Sequence, residues 1–201
     1  MTEFEQGMLT LRACMETYHP LEESTWQALK PLCHLKHIHS GSELYGAGKQ
    51  PETFAFVLKG LFRVFISDEN GNEYNKNFFD EHQFPGSMAA LLTNTPSKFT
   101  IEALEESDII EIEFNRFRQL LNTSHDLALF QIHYLERNWL LAKEPREVAF
   151  VQADAAHRYQ QFKAEFPNLI DRIPQYHIAS HLGITPTQLS RIRKKAQNQP
   201  M

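Results

Sequence analysis

Gln175-Tyr176-His177-Ile178-Ala179-Ser180-His181-Leu182-Gly183-Ile184-Thr185-Pro186-Thr187-Gln188-Leu189-Ser190-Arg191-Ile192-Arg193-Lys194-Lys195 is the stretch from which the rest of the chain can be read. Ile178, Ala179 and Leu182 share one face at helical spacing, so a first helix is expected to bury that face. Gly183 ends it, because glycine tolerates the left-handed backbone that a tight exit needs. Thr185 then suits an N-cap, Pro186 suits the first helical position, and Gln188 stands where a capping box takes Glu or Gln. Leu189 and Ile192 continue the apolar face of the second helix, while Thr187, Gln188, Ser190, Arg191, Lys194 and Lys195 occupy the other.

Ala179 is small where two helices must approach closely, and Leu189 and Ile192 pin the second helix to the first. A polar, basic helix face is left over, and the major groove of double-stranded DNA admits one helix. The stretch therefore reads as a helix-turn-helix whose second helix, residues 186–195, reads bases. Arg191 is the expected base reader, since arginine bidentate to guanine is the commonest specific contact, with Thr187 and Gln188 secondary. Gln188 is ambiguous, because a capping box would use the same side chain. Thr185, Ser190, Lys194 and Lys195 are expected to touch phosphates and set register. The plainer alternative is a helical hairpin with a solvated basic face. Against it stand the combined spacing and the charge, because residues 173–201 carry four Lys/Arg and no Asp or Glu.

The net charge is −5, so residues 1–172 carry −9. Overall acidity does not oppose DNA binding when the positive field is confined to one segment. Hydrophobic residues make up 42%, enough for real cores in one large or two small domains. Cys14 and Cys33 are too few for a four-cysteine zinc or iron–sulfur site and read as reduced thiols. No apolar run approaches membrane-spanning length, and the N-terminus, with Glu3 and Glu5, does not read as a signal peptide; no membrane partner and a cytoplasmic location are expected.

Moving towards the N-terminus, Pro167 ends a helix over 147–166 with Val148, Val151, Ala155, Tyr159 and Phe162 on roughly one side. Glu144-Pro145-Arg146 breaks the pattern and marks a candidate domain boundary. A long helix is expected over 124–143 with two apolar stripes: Ala128, Ile132, Leu135, Trp139 and Ala142, and Leu127, Phe130, Tyr134 and Leu141. A helix apolar on two sides must bury both, one on its own domain and the other on a partner helix, as in a homodimer. The alternative is a fully internal helix of a monomer. Residues 115–121 form a shorter helix. Between His34 and Ile112 come short β-type runs, clearest at Thr53–Leu58, Leu61–Ser67, Glu73–Phe79, Phe99–Leu104 and Ile109–Ile112, with a hairpin signal at Asp68-Glu69-Asn70-Gly71-Asn72. Many short strands with regular turns imply an antiparallel barrel or jelly roll. Residues 1–33 read as helical, with Leu9, Leu11 and Met15, then Leu21, Trp26 and Leu29, forming an N-terminal cap on the strand region. The expected class is α+β: a β-roll over 1–123, a dimerisation helix over 124–143 and a helical DNA-binding unit over 144–201.

This order of parts resembles the Crp/Fnr family of bacterial transcription regulators over roughly residues 20–195. Ser40-Gly41-Ser42-Glu43-Leu44-Tyr45-Gly46-Ala47-Gly48 is similar to the family's early glycine-bearing segment, and Phe56-Val57-Leu58-Lys59-Gly60-Leu61-Phe62-Arg63-Val64 to its strand pair. Ile178-Ala179 through Arg191-Ile192 is similar to its helix-turn-helix. The resemblance implies a cyclic-nucleotide-binding-like roll, a dimer, double-stranded DNA and RNA polymerase as partners, and a small-molecule effector. It places the effector pocket at Phe84, Gly86, Ser87, Met88, Lys98, Phe99 and Thr100. Cyclic-AMP-binding members carry a glutamate after the glycine and an arginine for the phosphate; here Ser87 follows Gly86, and Lys98 lacks the arginine fork. An effector other than cyclic AMP is expected. The family's β-hairpin wing is not expected, because only six residues follow Lys195.

Two rival readings come from other classes. His37-Ile38-His39 followed by Glu43 reproduces part of a cupin metal motif, and His residues two apart on a strand point the same way. The second half of that motif is missing, so neither a metal nor any other cofactor is expected. A roll that binds no small molecule, acting as a scaffold or ligand-independent regulator, is the other rival. No nucleophile elbow, phosphate loop or metalloprotease signature is present, so no catalytic residue and no enzyme is expected.

Overall fold

A computed structural model of the chain describes residues 1–141 and 154–197. Two compact units are distinguished: Met1–Val64 with Phe78–Leu140, and Phe65–Asn77 with Leu141–Met201.

The first unit begins with helix α1 (Glu3–Glu16), started by a capping box in which the Thr2 hydroxyl accepts from Glu5 N and Thr2 N donates to the Glu5 carboxylate. Its buried stripe is Met8, Leu11 and Met15; Leu9, expected on that stripe, is 52% exposed, since it lies two and six residues from Leu11 and Met15. Helix α2 (Glu23–Leu29) buries Trp26 and Leu29, and a 3-10 turn (Lys30–Leu32) leads into the strands. These are β1 (Cys33–Ile38), β2 (Glu43–Tyr45), β3 (Thr53–Lys59), β4 (Phe62–Ser67), β5 (Glu73–Phe79), β6 (Thr100–Ala103) and β7 (Ser107–Glu113). They form a three-stranded sheet ordered β1-β7-β3 and a four-stranded sheet ordered β2-β6-β4-β5. β7 pairs antiparallel with β1 and with β3, and β2 pairs antiparallel with β6.

The centre of this unit explains why β3 reads as an unbroken apolar run rather than an alternating one, and why β7 carries isoleucine at the adjacent positions 109 and 110. Phe54, Phe56, Ile110 and Ile112 point into a core shared with α1, α2 and Leu127 and Phe130 of helix α5 (His125–Leu135). Ala55, Val57 and Ile109 point the other way, onto Tyr45, Phe62, Val64 and Ile101. A strand covered on both faces carries apolar residues at every position. Helix α3 (Met88–Thr93) interrupts the strand region, an element absent from the sequence-based expectation because its six residues are too few for a periodic signal. Helix α4 (Phe114–Leu121) precedes α5.

α5 joins the roll through one of its two stripes. Leu127 and Phe130 are buried, and the Asp126 carboxylate accepts from Glu22 N and Thr25 Oγ1, tying α2 to the start of α5. Ile132, Leu135 and Trp139 of the other stripe are 49%, 40% and 48% exposed. The long helix is not uniform: after Leu135 it passes into a π-helical turn, Glu136–Leu140. Such a turn rotates the residues beyond it, so Leu141, expected beside Leu127 and Phe130, is exposed. Ala142, Val148, Val151 and the break at 144–146 lie outside the described residues.

In the second unit Asp154 caps helix α6 (Ala155–Glu165) by accepting from His157 N. Helix α7 (Gln175–His181) and helix α8 (Pro186–Gln197) come next. Their core is Tyr159, Phe162, Phe166, Leu169, Ile173, Ile178, Ala179, Leu182 and Leu189.

Candidate nucleic-acid interface and effector segment

The turn between α7 and α8 is built as the spacing requires. Gly183 takes φ +65°, and its N–H donates to Ser180 O while Ile184 N–H donates to Ala179 O. Arg158 of α6 donates from Nε and Nη2 to Leu182 O at 3.3 and 3.1 Å, so the end of α7 meets a cation where its dipole is negative. Thr185 N–H donates to Gln188 Oε1 at 2.9 Å, and Gln188 N–H donates to Thr185 Oγ1 at 3.2 Å, a complete capping box. Leu189 is fully buried and Ile192 half-buried, which holds α8 against α7.

The opposite face of α8 is open. Thr187, Gln188, Ser190, Arg191, Lys194 and Lys195 are all exposed, as is Thr185. Arg191 and Lys195, four apart, stand one above the other, so cationic side chains project along the free surface of the helix. Gln188 Oε1 is occupied by the cap, which leaves its amide nitrogen to meet a ligand.

One group of residues in this unit was not legible in the sequence. The tip of the β4–β5 hairpin belongs to it and grips α7. Ser180 Oγ donates to Glu73 O at 2.7 Å and accepts from Asn75 N at 3.0 Å. Asn75 Nδ2 lies 3.2 Å from His177 Nδ1 and donates to His177 O at 3.3 Å. His181 Nδ1 is 3.1 Å from Asn75 O. Asn75 and His177 are both buried, and Asn75 Oδ1 meets no hydrogen-bond partner. Local sequence offers no signal for a pairing across about a hundred residues. The hairpin turn itself was legible: the Asn72 side chain donates to Asp68 Oδ2, and Asn72 N and Asn70 N donate to Asp68 Oδ1, which holds the Asp68 carboxyl below its ordinary range.

The segment expected to hold an effector lies in the first unit. Phe84 is buried in an aromatic group, with ring centroids 4.9 Å from Phe56, 5.3 Å from Tyr134 and 6.2 Å from Phe130. At Gly86 a Cβ would come within 2.8 Å of Phe54 Cβ, so the strand and this loop touch through the glycine. Ser87 is buried with its Oγ 2.8 Å from Ser97 Oγ, and Ser97 Oγ donates to Phe99 O. Thr100 is buried and accepts from Ala47 N, whereas Met88 and Phe99 are half-buried and Lys98 is exposed. Beside this segment Arg63 of β4 makes a two-pronged pair with Glu102 of β6, at 3.0 and 3.2 Å. Elsewhere on the roll, His37 and His39 converge on Glu106 and not on Glu43, which lies 3.4 Å from Lys49 Nζ.

Comparison with known proteins agrees with this geometry. The family described as "Cyclic nucleotide-binding domain" matches residues 35–124. The "cAMP-activated global transcriptional regulator CRP" of Salmonella typhimurium is 26% identical over 110 residues, covering 55% of this chain and 52% of that protein. The chain thus matches about half the length of such curated relatives. The c-di-GMP-responsive global regulator CLP of Xanthomonas campestris has the same fold, with a TM-score of 0.67 at 16% identity over 88% of this chain and 92% of that one. FixK2 of Bradyrhizobium japonicum gives 0.68 at 15% identity over 83% and 85%. Residues 35–124 thus match the cyclic nucleotide-binding domain, and the chain is similar to regulators of the Crp/Fnr kind in its roll and shares their fold.

Proposed function

We propose that the chain is a dimeric, sequence-specific DNA-binding transcription regulator in which α8 enters the major groove. The observation that carries this reading is the free face of α8: a capped helix pinned by Leu189, with Arg191, Lys194 and Lys195 exposed together on an otherwise acidic protein. Arg191 is the principal base reader and Thr187 a secondary one. Gln188 contributes through its amide nitrogen only, and Thr185, Ser190, Lys194 and Lys195 position the helix on phosphates. The half-exposed stripe Ile132, Leu135 and Trp139 packs against the same stripe of a second copy, which presents two recognition helices to a two-fold site. RNA polymerase is the further partner.

The roll senses an effector other than cyclic AMP. Supporting this, Ser87 stands where a ribose-binding glutamate is needed and is already engaged with Ser97, while Lys98 projects outward. The effector acts by favouring one arrangement of the recognition helices over another. Nothing in the site calls for catalysis, and among the described residues no helix is long and apolar enough to cross a membrane.

Selection of bound duplexes from a random pool, with Arg191→Ala as the control, tests the reading. Enrichment of a two-fold symmetric sequence that disappears in the variant is expected. Equal enrichment by variant and wild type would remove Arg191 as the reader. No enrichment by either protein, with metabolite pools added, would overturn sequence-specific binding.

A further inference from the structure

The β1 edge of the roll brings two imidazoles and a carboxylate to one point. His37 lies in β1 and His39 one residue beyond its end, so the spacing of two puts both side chains on the same side of the chain. β1 pairs with β7 in the register His37↔Asp108 and Ile38↔Ser107, which brings Glu106, just ahead of β7, alongside His39. His37 Nε2 lies 2.8 Å from Glu106 Oε2, and His39 Nδ1 lies 3.1 Å from that same oxygen. One ligating atom from each of the three residues falls within 4.8 Å of the other two.

Two further contacts aim these groups. His37 Nδ1 is 2.8 Å from Asp108 Oδ1. A carboxylate there can hold the Nδ1 proton and fixes the ring with Nε2 on the Glu106 side, which is how histidines that bind metals are commonly held. Glu106 Oε1 accepts from Ser40 N at 3.1 Å, so the backbone fixes the carboxylate and leaves Oε2 facing the imidazoles. An isolated surface ion pair needs neither the second carboxylate behind His37 nor two imidazoles on one oxygen.

We propose that His37, His39 and Glu106 form a binding site for a divalent transition-metal ion of the zinc, nickel and copper class, with Asp108 as the positioning residue for His37. Ligand bonds of about 2.0–2.1 Å in a tetrahedral set place ligating atoms about 3.3 Å apart, so the two imidazole nitrogens need to draw back from Glu106 Oε2 by only a few tenths of an ångström, and they already lie within 4.8 Å of each other. The three ligating residues are exposed and Asp108 is half-exposed, so the side chains can make that adjustment and water can fill the remaining coordination position. Two imidazoles against one carboxylate disfavour calcium and magnesium, which take oxygen ligands. An open site of three ligands exchanges its ion with solution. A bound ion joins the segment after β1 to the segment before β7 and stabilises the roll in proportion to free metal. This reading is independent of DNA binding.

The test uses the full chain without an affinity tag, stripped with a chelator. Zinc is titrated by calorimetry and cobalt(II) is followed by its visible absorption. One ion per chain with the bands of a four- or five-coordinate ion is expected. His39→Ala and Glu106→Gln should each weaken binding at least tenfold, and Asp108→Asn by about 10–100-fold. His34→Ala, on the same strand and paired with Glu113, should bind as the wild type does, and unchanged circular dichroism should show each variant folded. Absence of binding in excess metal would overturn the site. So would wild-type affinity in folded His39→Ala, or an equal loss in His34→Ala.

Discussion

Thr185 and Gln188 hold each other at the start of α8, each backbone N–H meeting the other's side-chain oxygen at 2.9 and 3.2 Å. Both residues are exposed, and the pair satisfies two of the donors that every helix start leaves open. Thr185→Ala should lower the stability of the C-terminal unit by about 1 kcal/mol, read as a fall in its unfolding midpoint. Gln188→Ala should also destabilise, whereas Gln188→Glu should keep the cap. If Gln188→Ala left stability unchanged, the side chain would be free and its role would have to be base reading alone.

On the proposed reading, Lys194 and Arg191 should separate positioning from reading. Lys194→Ala should weaken binding to every duplex alike and reduce the slope of log affinity against log salt by about 1 per replaced phosphate contact. Arg191→Ala should instead cost about 1–3 kcal/mol on the selected site and relax preference at one base pair. Affinities measured for selected and scrambled duplexes over a salt series distinguish these outcomes. A Lys194→Ala variant that lost sequence preference with an unchanged slope would exchange the two roles.

Ile132 is half-exposed on α5 while Leu127 and Phe130 on the same helix are buried in the roll. Ile132→Lys should therefore leave the fold intact and convert a dimer to a monomer in sedimentation equilibrium. It should also weaken binding to a two-fold site far more than to a half-site. A dimer that survives this substitution would place the partner surface elsewhere.

How far the sequence revealed this protein depended on whether the determining contacts were local. The α7–α8 turn was legible because its determinants, Gly183, Thr185, Pro186 and Gln188, lie within six residues. β3, β5 and the Asp68–Asn72 turn were legible for the same reason. β1 was read only as a strand through His37 and His39, without bounds, because its burial alternates irregularly and its pairing partner β7 lies far along the chain. The π-helical turn at Glu136–Leu140 left no mark in the apolar spacing and rotated Leu141 outward. At the sites, the exposed face of α8 followed from periodicity. The grip of Asn75 on His177, and the arrival of Glu106 rather than Glu43 at the histidine pair, depend on pairings across tens to a hundred residues.

The two thiols give a pH dependence whose sign can be worked out. Burial pushes Cys33 up to about 12, with the Glu113 carboxylate adding to the effect, and burial pushes Cys14 up to about 11. Cys33 Sγ donates to Leu29 O inside the core. The ordinary thiol lies near 8.5, so above that pH the unfolded chain loses protons that the folded chain keeps. Stability contributed by these thiols is therefore fully present below about pH 8.5 and declines as pH rises towards the folded values. For Cys33 the decline should approach about 1.4 kcal/mol per pH unit in that window. Urea unfolding at a series of pH values should show a steeper loss for wild type than for Cys33→Ala. Alkylation at pH 8 should be slow in the folded protein and fast in urea, because the thiolate is the reacting form. Rapid alkylation of Cys33 without denaturant would mean that the α2–β1 junction opens readily, and the alkaline loss of stability should then shrink with it.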